Sequence, residues 1–397
     1  MSQLGLGVCL GIVLLIVAVS RYFALMKDVR EAAREQALKD EKYRQVLEQA
    51  KAVEHEEKVK KAQSGHLPSI LSLAKENEIG NLRVALSWYQ KAAELGNEIG
   101  QNALARLSRQ DVDDPHGEAK SRYWECLVKA NNNEPEALFE LGRYEIRGYG
   151  TAINTASGVG HLIKAAEMEY VPAQLFLGDW YVVESNPTPS PRRAFFWRLK
   201  SAVNNDAMGC IKVAYCFQTG VGATRDRRRA IYWLEKAAEL GNLEAQYLAG
   251  KMHLNNDQPV TNVTDAAVAY IWFSVAFASG YLDAKKERDM AVQHVGIESI
   301  LNVQKVAKQI YKFLHNPPVP VHSTMDLLDK MYDRSKYRPT DAELDAALGR
   351  INEDIDIDVA GQTNPAPAAS GMGNASINSV KKDWSGEMIA AESASSG

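Results

Sequence analysis

Self-similarity constrains this chain more than any other feature: AIYWLEKAAELGNLEAQYLAG at residues 230–250 returns as ALSWYQKAAELGNEIGQNALA at residues 85–105. Near-copies at a fixed period are the mark of a repeat array, in which each unit buries its apolar face only against its neighbours. Anchoring on the aromatic of each copy gives Trp88, Trp124, His161, Trp197, Trp233 and Trp272, spaced by 36, 37, 36, 36 and 39 residues. Other columns then align. Ala92/Ala93, Ala165/Ala166 and Ala237/Ala238 follow the anchor, and Gly96, Gly241 and Gly280 close the same helix. Ala137, Ala173, Ala245 and Ala284, then Gly142, Gly178, Ala214 and Gly250, mark a second helix whose small residues allow close approach. Gly148/Gly150 and Gly220/Gly222 supply Gly-x-Gly turns.

These columns resemble the SEL-one-like repeat family, a branch of the tetratricopeptide-like α/α solenoids with units of the form A-x-x-x-LG-x-x-Y-x-x-G-x-GV…A-x-x-WY-x-KAA-x-x-G. The resemblance covers residues 65–315. It departs where His161 replaces the Trp, Glu169 and Asn205 replace the helix-ending Gly, and Ala214 replaces the Gly of the Leu-Gly pair. The implied fold is all-α: a right-handed superhelical solenoid of about six helical hairpins. Fold alone does not carry function.

Ahead of the repeats, Leu4 to Ser20 is an uncharged run flanked by Arg21, Tyr22 and Phe23. It is expected to form an N-terminal membrane helix through residues 4–23, in a domain spanning 1–24. Arg21, Lys27, Arg30 and Arg34 follow it and no Lys or Arg precedes it. The positive-inside rule then gives a single-pass bacterial inner-membrane protein with cytoplasmic repeats, periplasmic repeats being the alternative, and cleavage after Ser20 a further one. Residues 21–62 hold 11 Lys/Arg and 9 Asp/Glu without Gly or Pro, which predicts a charged helical stalk over 25–64. Its seam of Val29, Ala32, Tyr43, Val46, Ala50 and Val53 suits either a lone helix or a weak coiled coil. Weak homo-oligomerisation through the membrane helix, where Gly7 and Gly11 form a small-residue pair, or through the stalk is one expectation.

Repeats are expected over 65–280, capping helices over 281–316, a linker with short helices over 317–358 and a disordered tail over 359–397. Polar loops interrupt the array at 184–192 and 255–265, and a Trp-bearing stretch at 380–392 is a possible docking motif or a solvated tail.

The formal charge of −4 and pI near 6.1 give no footprint for nucleic acid. Cys9, Cys126, Cys210 and Cys216 make no disulfide framework, and no His pair shows the spacing of a zinc site. Phosphate-binding, nucleophile-elbow and paired-carboxylate motifs are missing, so no catalytic residue, metal or cofactor is assigned and the chain is not read as an enzyme.

Two functions remain. The first is a membrane-anchored scaffold or adaptor that offers a concave repeat surface to a partner protein or peptide. The second is a cell-envelope β-lactam-binding or hydrolase-like repeat protein, which the resemblance ties to regularly paired cysteines, and here Cys126 stands alone in its unit. In tetratricopeptide-like register the residue after the Leu-Gly position faces the concave side. That picks Arg106, Arg143, Asp179, Tyr215 and Lys251 as partner-binding, over an apolar floor of Phe139, Leu175, Ile211 and Tyr247.

Overall fold

An α-helix must stop before its partner can turn back, and here five of the repeats share one stop. The residue after the Trp-bearing helix takes a left-handed conformation: Gly96 at φ 77°, Glu169 at 62°, Asn205 at 59°, Gly241 at 88° and Gly280 at 107°. The next amide then reaches back into the last turn, Asn97 to Ala92 O, Tyr170 to Ala165 O, Asp206 to Ser201 O, Asn242 to Ala237 O and Tyr281 to Ala276 O. This is the Schellman closure, and glycine performs it without a Cβ penalty. Glu169 and Asn205 perform the same closure at a steric cost. Because a left-handed residue other than glycine costs roughly 1–2 kcal/mol, Glu169→Gly should stabilise the chain by about 1 kcal/mol in denaturant unfolding. No gain would mean that the Glu169 side chain offsets its own strain.

The computed structural model describes residues 3–254, 263–316, 320, 322–334 and 337–349. The expected 255–265 loop falls mostly, and the 359–397 tail with its 380–392 motif wholly, outside these residues. Every regular element among them is helical. Contacts divide the chain into two compact units, Met1–Gln174 and Leu175–Gly397.

In the first unit α1 (Gln3–Gln63) is one 61-residue helix. Its last turns join a core: Ala62 packs with Ile70 and Leu73 of α2 (Leu67–Asn77) and Ala92 of α3 (Leu82–Glu94), with Val59 and Trp88 beside them. Lys58 pairs with Glu76 at 2.7 Å, and Lys91 caps the end of α1 by donating to Gln63 O at 2.8 Å. Further back Tyr43, Val46 and Val53 are exposed. Then come α4 (Glu98–Leu107), α5 (Gly117–Asn131), α6 (Pro135–Arg147) and α7 (Thr155–Glu167), with α8 (Val171–Trp180) begun at the unit's end.

The second unit holds the rest of α8, then α9 (Pro191–Val203), α10 (Ala207–Thr219), α11 (Arg227–Glu239), α12 (Leu243–Leu254) and α13 (Val263–Ala278). After them stand α14 (Ala284–Ala291), α15 (Ile297–Leu314) and α16 (Ser323–Tyr332). The core is centred on Trp233, Trp272, Phe273 and Ile271, and α15 adds Val303, Val306, Ala307 and Ile310 to it. Close approach explains the small-residue column here, since a Cβ on Gly250 would lie 2.6 Å from the Phe273 ring.

Polar residues at the helix starts lock the hairpins. The side chains of Asn154, Ser190 and Asp226 accept amides of the first turn of α7, α9 and α11. Their own amides donate to Glu145 O, Tyr181 O and Phe217 O at 2.8, 2.8 and 2.9 Å.

The membrane expectation is corrected. Among the described residues no helix is long and apolar enough to cross a membrane. The uncharged run Leu4–Ser20 is diluted by Gly5, Gly7 and Gly11 and runs on, within α1, into the charged sequence from Arg21. The single-pass inner-membrane assignment, in either orientation, and membrane contact through residues 4–23 are withdrawn.

Candidate functional site

The residues picked by repeat register lie on α4, α6, α8, α10 and α12, and the two units are described separately. In the first, Arg106 is exposed and reaches Glu78 at 3.4 Å, and Glu78 is held below the usual carboxylate range by the Tyr89 hydroxyl and then by Lys75. Arg143 lies half-buried over the Phe139 ring, 5.4 Å from its centroid, and pairs with Glu140 at 2.9 Å. Phe139 in turn meets Tyr170, ring centroids 5.6 Å apart. The arginine is thus oriented from two sides.

In the second unit Lys251 repeats this arrangement, 5.6 Å over Tyr247. Tyr247 stacks on Tyr281 at 4.9 Å and leans on Phe273 at 5.8 Å. Beside Tyr247 an open cleft of about 720 Å³ is bounded by Asp283, Lys286 and Met290. Asp179 has a different surrounding: Arg198 reaches it at 3.1 Å and Lys212 at 2.9 Å, both from largely buried side chains. Its charge is spent inside the fold. Leu175 and Tyr215 are half-buried, whereas Ile211 is buried in the core and is covered rather than offered as a floor.

The lysine three residues after the anchor Trp has a role that the sequence reading did not assign. Lys91, Lys200 and Lys236 lie 5.8, 5.6 and 5.1 Å over Trp88, Trp197 and Trp233. His161, which stands in the Trp column, is half-exposed and bonded through Nδ1 to Glu145 Oε2 at 2.9 Å.

A buried polar cluster in the second unit was also missed. Glu235, 1% exposed, places Oε1 2.8 Å from His253 Nε2, 2.9 Å from Arg334 Nη1 and 3.4 Å from Trp272 Nε1. His253 Nδ1 lies 3.1 Å from Asp265. Two residues after the anchor the units carry Gln90, Cys126, Ile163, Leu199 and Ser274, and Glu235 is the charged member of that column.

Nucleophilic chemistry has little support among these groups. Burial pushes the Cys210 thiol up to about 12 and the Cys126 thiol up to about 11, which keeps both protonated. Among the described residues no group of three or more His, Cys, Asp or Glu could hold a metal ion.

Comparison with known proteins agrees with the repeat geometry. The Sel1 repeat model matches residues 78–97, 135–170, 171–205, 207–242 and 243–281. The uncharacterized protein NMB1327 of Neisseria meningitidis serogroup B is 30% identical over 166 residues, 42% of this chain and 34% of that protein. This chain thus spans about a third of that relative's length. A protective antigen of uropathogenic Escherichia coli strains displaying an SLR fold is 18% identical, with 81% of this chain and 68% of that one covered at a TM-score of 0.28. A Sel1 repeat protein from Oxalobacter formigenes is 19% identical, with 60% and 99% covered at a TM-score of 0.37. The chain thus carries five Sel1 repeats between residues 78 and 281.

Proposed function

We propose that the chain is an interaction scaffold that offers the α6 face of its first unit and the α10–α12 face of its second to a partner protein or peptide. Sel1-repeat proteins are typically protein-interaction scaffolds. The observation that carries the reading is the recurrence of one device at one repeat position: Arg143 over Phe139 and Lys251 over Tyr247. A cation held over a ring four residues earlier loses little side-chain freedom on binding, and arginine and tyrosine anchors dominate many interfaces. Between these positions the side chains vary, with Asp179 and Tyr215 at the equivalent places, while the small-residue column beside them stays small. A purely structural column would hold one residue type.

A photo-crosslinking amino acid placed at Arg106, Tyr215 or Lys251 should trap a partner in cells, whereas one at Tyr43 on the exposed length of α1 should trap none. In the chain crosslinked through Lys251, Arg143→Glu with Tyr215→Ala should abolish the adduct. Melting should fall by only about 2–4 °C, because neither side chain is a core residue. An adduct that persists in the double variant would show that Arg143 and Tyr215 do not contribute to binding, and the absence of an adduct at Arg106, Tyr215 and Lys251 alike would exclude these faces.

A further inference from the structure

Two C-terminal helices join the second unit in different ways. α15 contributes Val303, Val306, Ala307 and Ile310, a continuous apolar stripe, to the core around α13. α16 contributes only Met325 and Leu328 as buried apolar side chains, with Leu327, Tyr332 and Tyr337 half-buried at the margin. Most of its attachment to α11 is polar. Arg334 forks onto Glu235, at 2.9 and 3.4 Å, and onto Asp329 at 2.8 Å, and Arg338 pairs with Asp326 and Asp329. Ser323 Oγ and the Thr324 amide donate to Glu239 Oε1, each at 3.4 Å. Tyr337 meets Tyr232 edge-on at 6.0 Å and lies under Arg229 at 5.2 Å.

The same seam concentrates defects. Glu239 Oε2, Thr324 Oγ1, His322 Nδ1 and Tyr332 OH are buried there without a hydrogen-bond partner. Each carries the desolvation of a bond not made. Left-handed residues other than glycine stand at both ends of α16, His322 at φ 65° and Asp333 at φ 47°. That strain persists only while the contacts hold it. A helix held by few apolar groups, with four orphaned polar atoms and strain at each end, is docked with a small margin. Its α11 partner surface is nevertheless formed by Arg229, Tyr232, Glu235 and Glu239, which belong to the rigid repeat.

We infer that this face of α11 is a peptide-docking surface for a helix that presents two apolar side chains three residues apart, followed by an arginine for Glu235 and a tyrosine for Tyr232, and that α16 with Arg334 and Tyr337 closes it in cis as a displaceable ligand. The occupant seen defines the partner: a helical segment with the chemistry of Met325, Leu328, Arg334 and Tyr337 supplied by another protein. This surface is separate from the α10–α12 face, so either can fail without the other.

The test uses the full chain and a fluorescent synthetic peptide of residues 320–349. An intramolecular occupant lowers the apparent affinity for a competitor by the fraction of time that the surface is free. The full chain carrying Leu328→Asp, which weakens the cis helix, should therefore bind the peptide at least about tenfold tighter than the unaltered chain. The peptide with Arg334→Glu should lose that binding and the peptide with Arg334→Lys should keep part of it, because the Glu235 carboxylate, buried beside His253 and Trp272, accepts a cation there. Equal binding by the two chains, or none by the Leu328→Asp chain at unchanged helicity, overturns the inference. Hydrogen exchange on the unaltered chain gives a readout that does not depend on any variant. Amides of α16 should exchange at least about a hundredfold faster than those of α13, and protection equal to that of α13 would make α16 a permanent part of the core.

Discussion

Trp233→Ala is expected to lower the unfolding free energy by about 3–5 kcal/mol, the range for deleting a buried aromatic ring that its surroundings cannot refill. Trp233 is 2% exposed and sits edge-on to Tyr232 at 5.1 Å, with the Lys236 ammonium 5.1 Å over its face. Its helix neighbours Ala230, Ala237 and Ala238 are wholly buried, and alanines have no length with which to close the space. Lys236 also loses the surface that guides its reach to Ala202 O at 3.3 Å. Trp88→Ala is the control from the same column. Trp88 is only half-buried beside the small cluster of Ala62, Ile70, Leu73 and Ala92, so its loss should cost less than half as much. Denaturant unfolding followed by far-ultraviolet dichroism separates the two. A loss below about 1 kcal/mol at Trp233 would mean that the column does not carry the core.

The repeat was legible because its constraint is written once per unit. Trp197, Trp233 and Trp272 are buried where the period places them, and Glu169 and Asn205, read as substitutes for the helix-ending glycine, take glycine's left-handed conformation. Gly250 lies against Phe273 as a small-residue column requires. What a period cannot express was not legible. Arg334 finds Glu235 across 99 residues, and neither side of that contact recurs in another unit. Asp179 was placed by register, yet its capture by Arg198 and Lys212 depends on how long side chains from two helices converge, which spacing does not determine. The run Leu4–Ser20 was read from its lack of charge, yet among the described residues no helix is long and apolar enough to cross a membrane.

Stability should also depend on pH through one carboxyl. Burial pushes Glu239 up from the ordinary value of 4.5 to about 7, against the bonds from Thr324 and Ser323 that favour the charged form, and Asp326 raises it further. The charged and titratable groups around it are Tyr232 and Lys236 on α11, His322 and Asp326 at the start of α16, and Arg338 beyond it. His322 is shifted down, chiefly by burial and then by Arg338 and Lys236, so it adds little positive charge at neutral pH to hold a Glu239 carboxylate. With a folded value near 7 and an unfolded value near 4.5, the folded chain binds the extra proton between those limits. Its contribution is fully present below pH 4.5 and is lost as pH rises towards 7, so stability falls across that window. After allowance for the partial solvation of the site the loss is on the order of 2 kcal/mol. Glu239→Gln, which keeps the shape and removes the titration, should flatten this slope and leave the variant more stable than the parent at pH 8 by a similar amount. Unfolding midpoints at pH 5, 6, 7 and 8 decide the matter. Parallel curves for the two chains would show that Glu239 is ionised in the folded state throughout, and that water reaches it beneath α16.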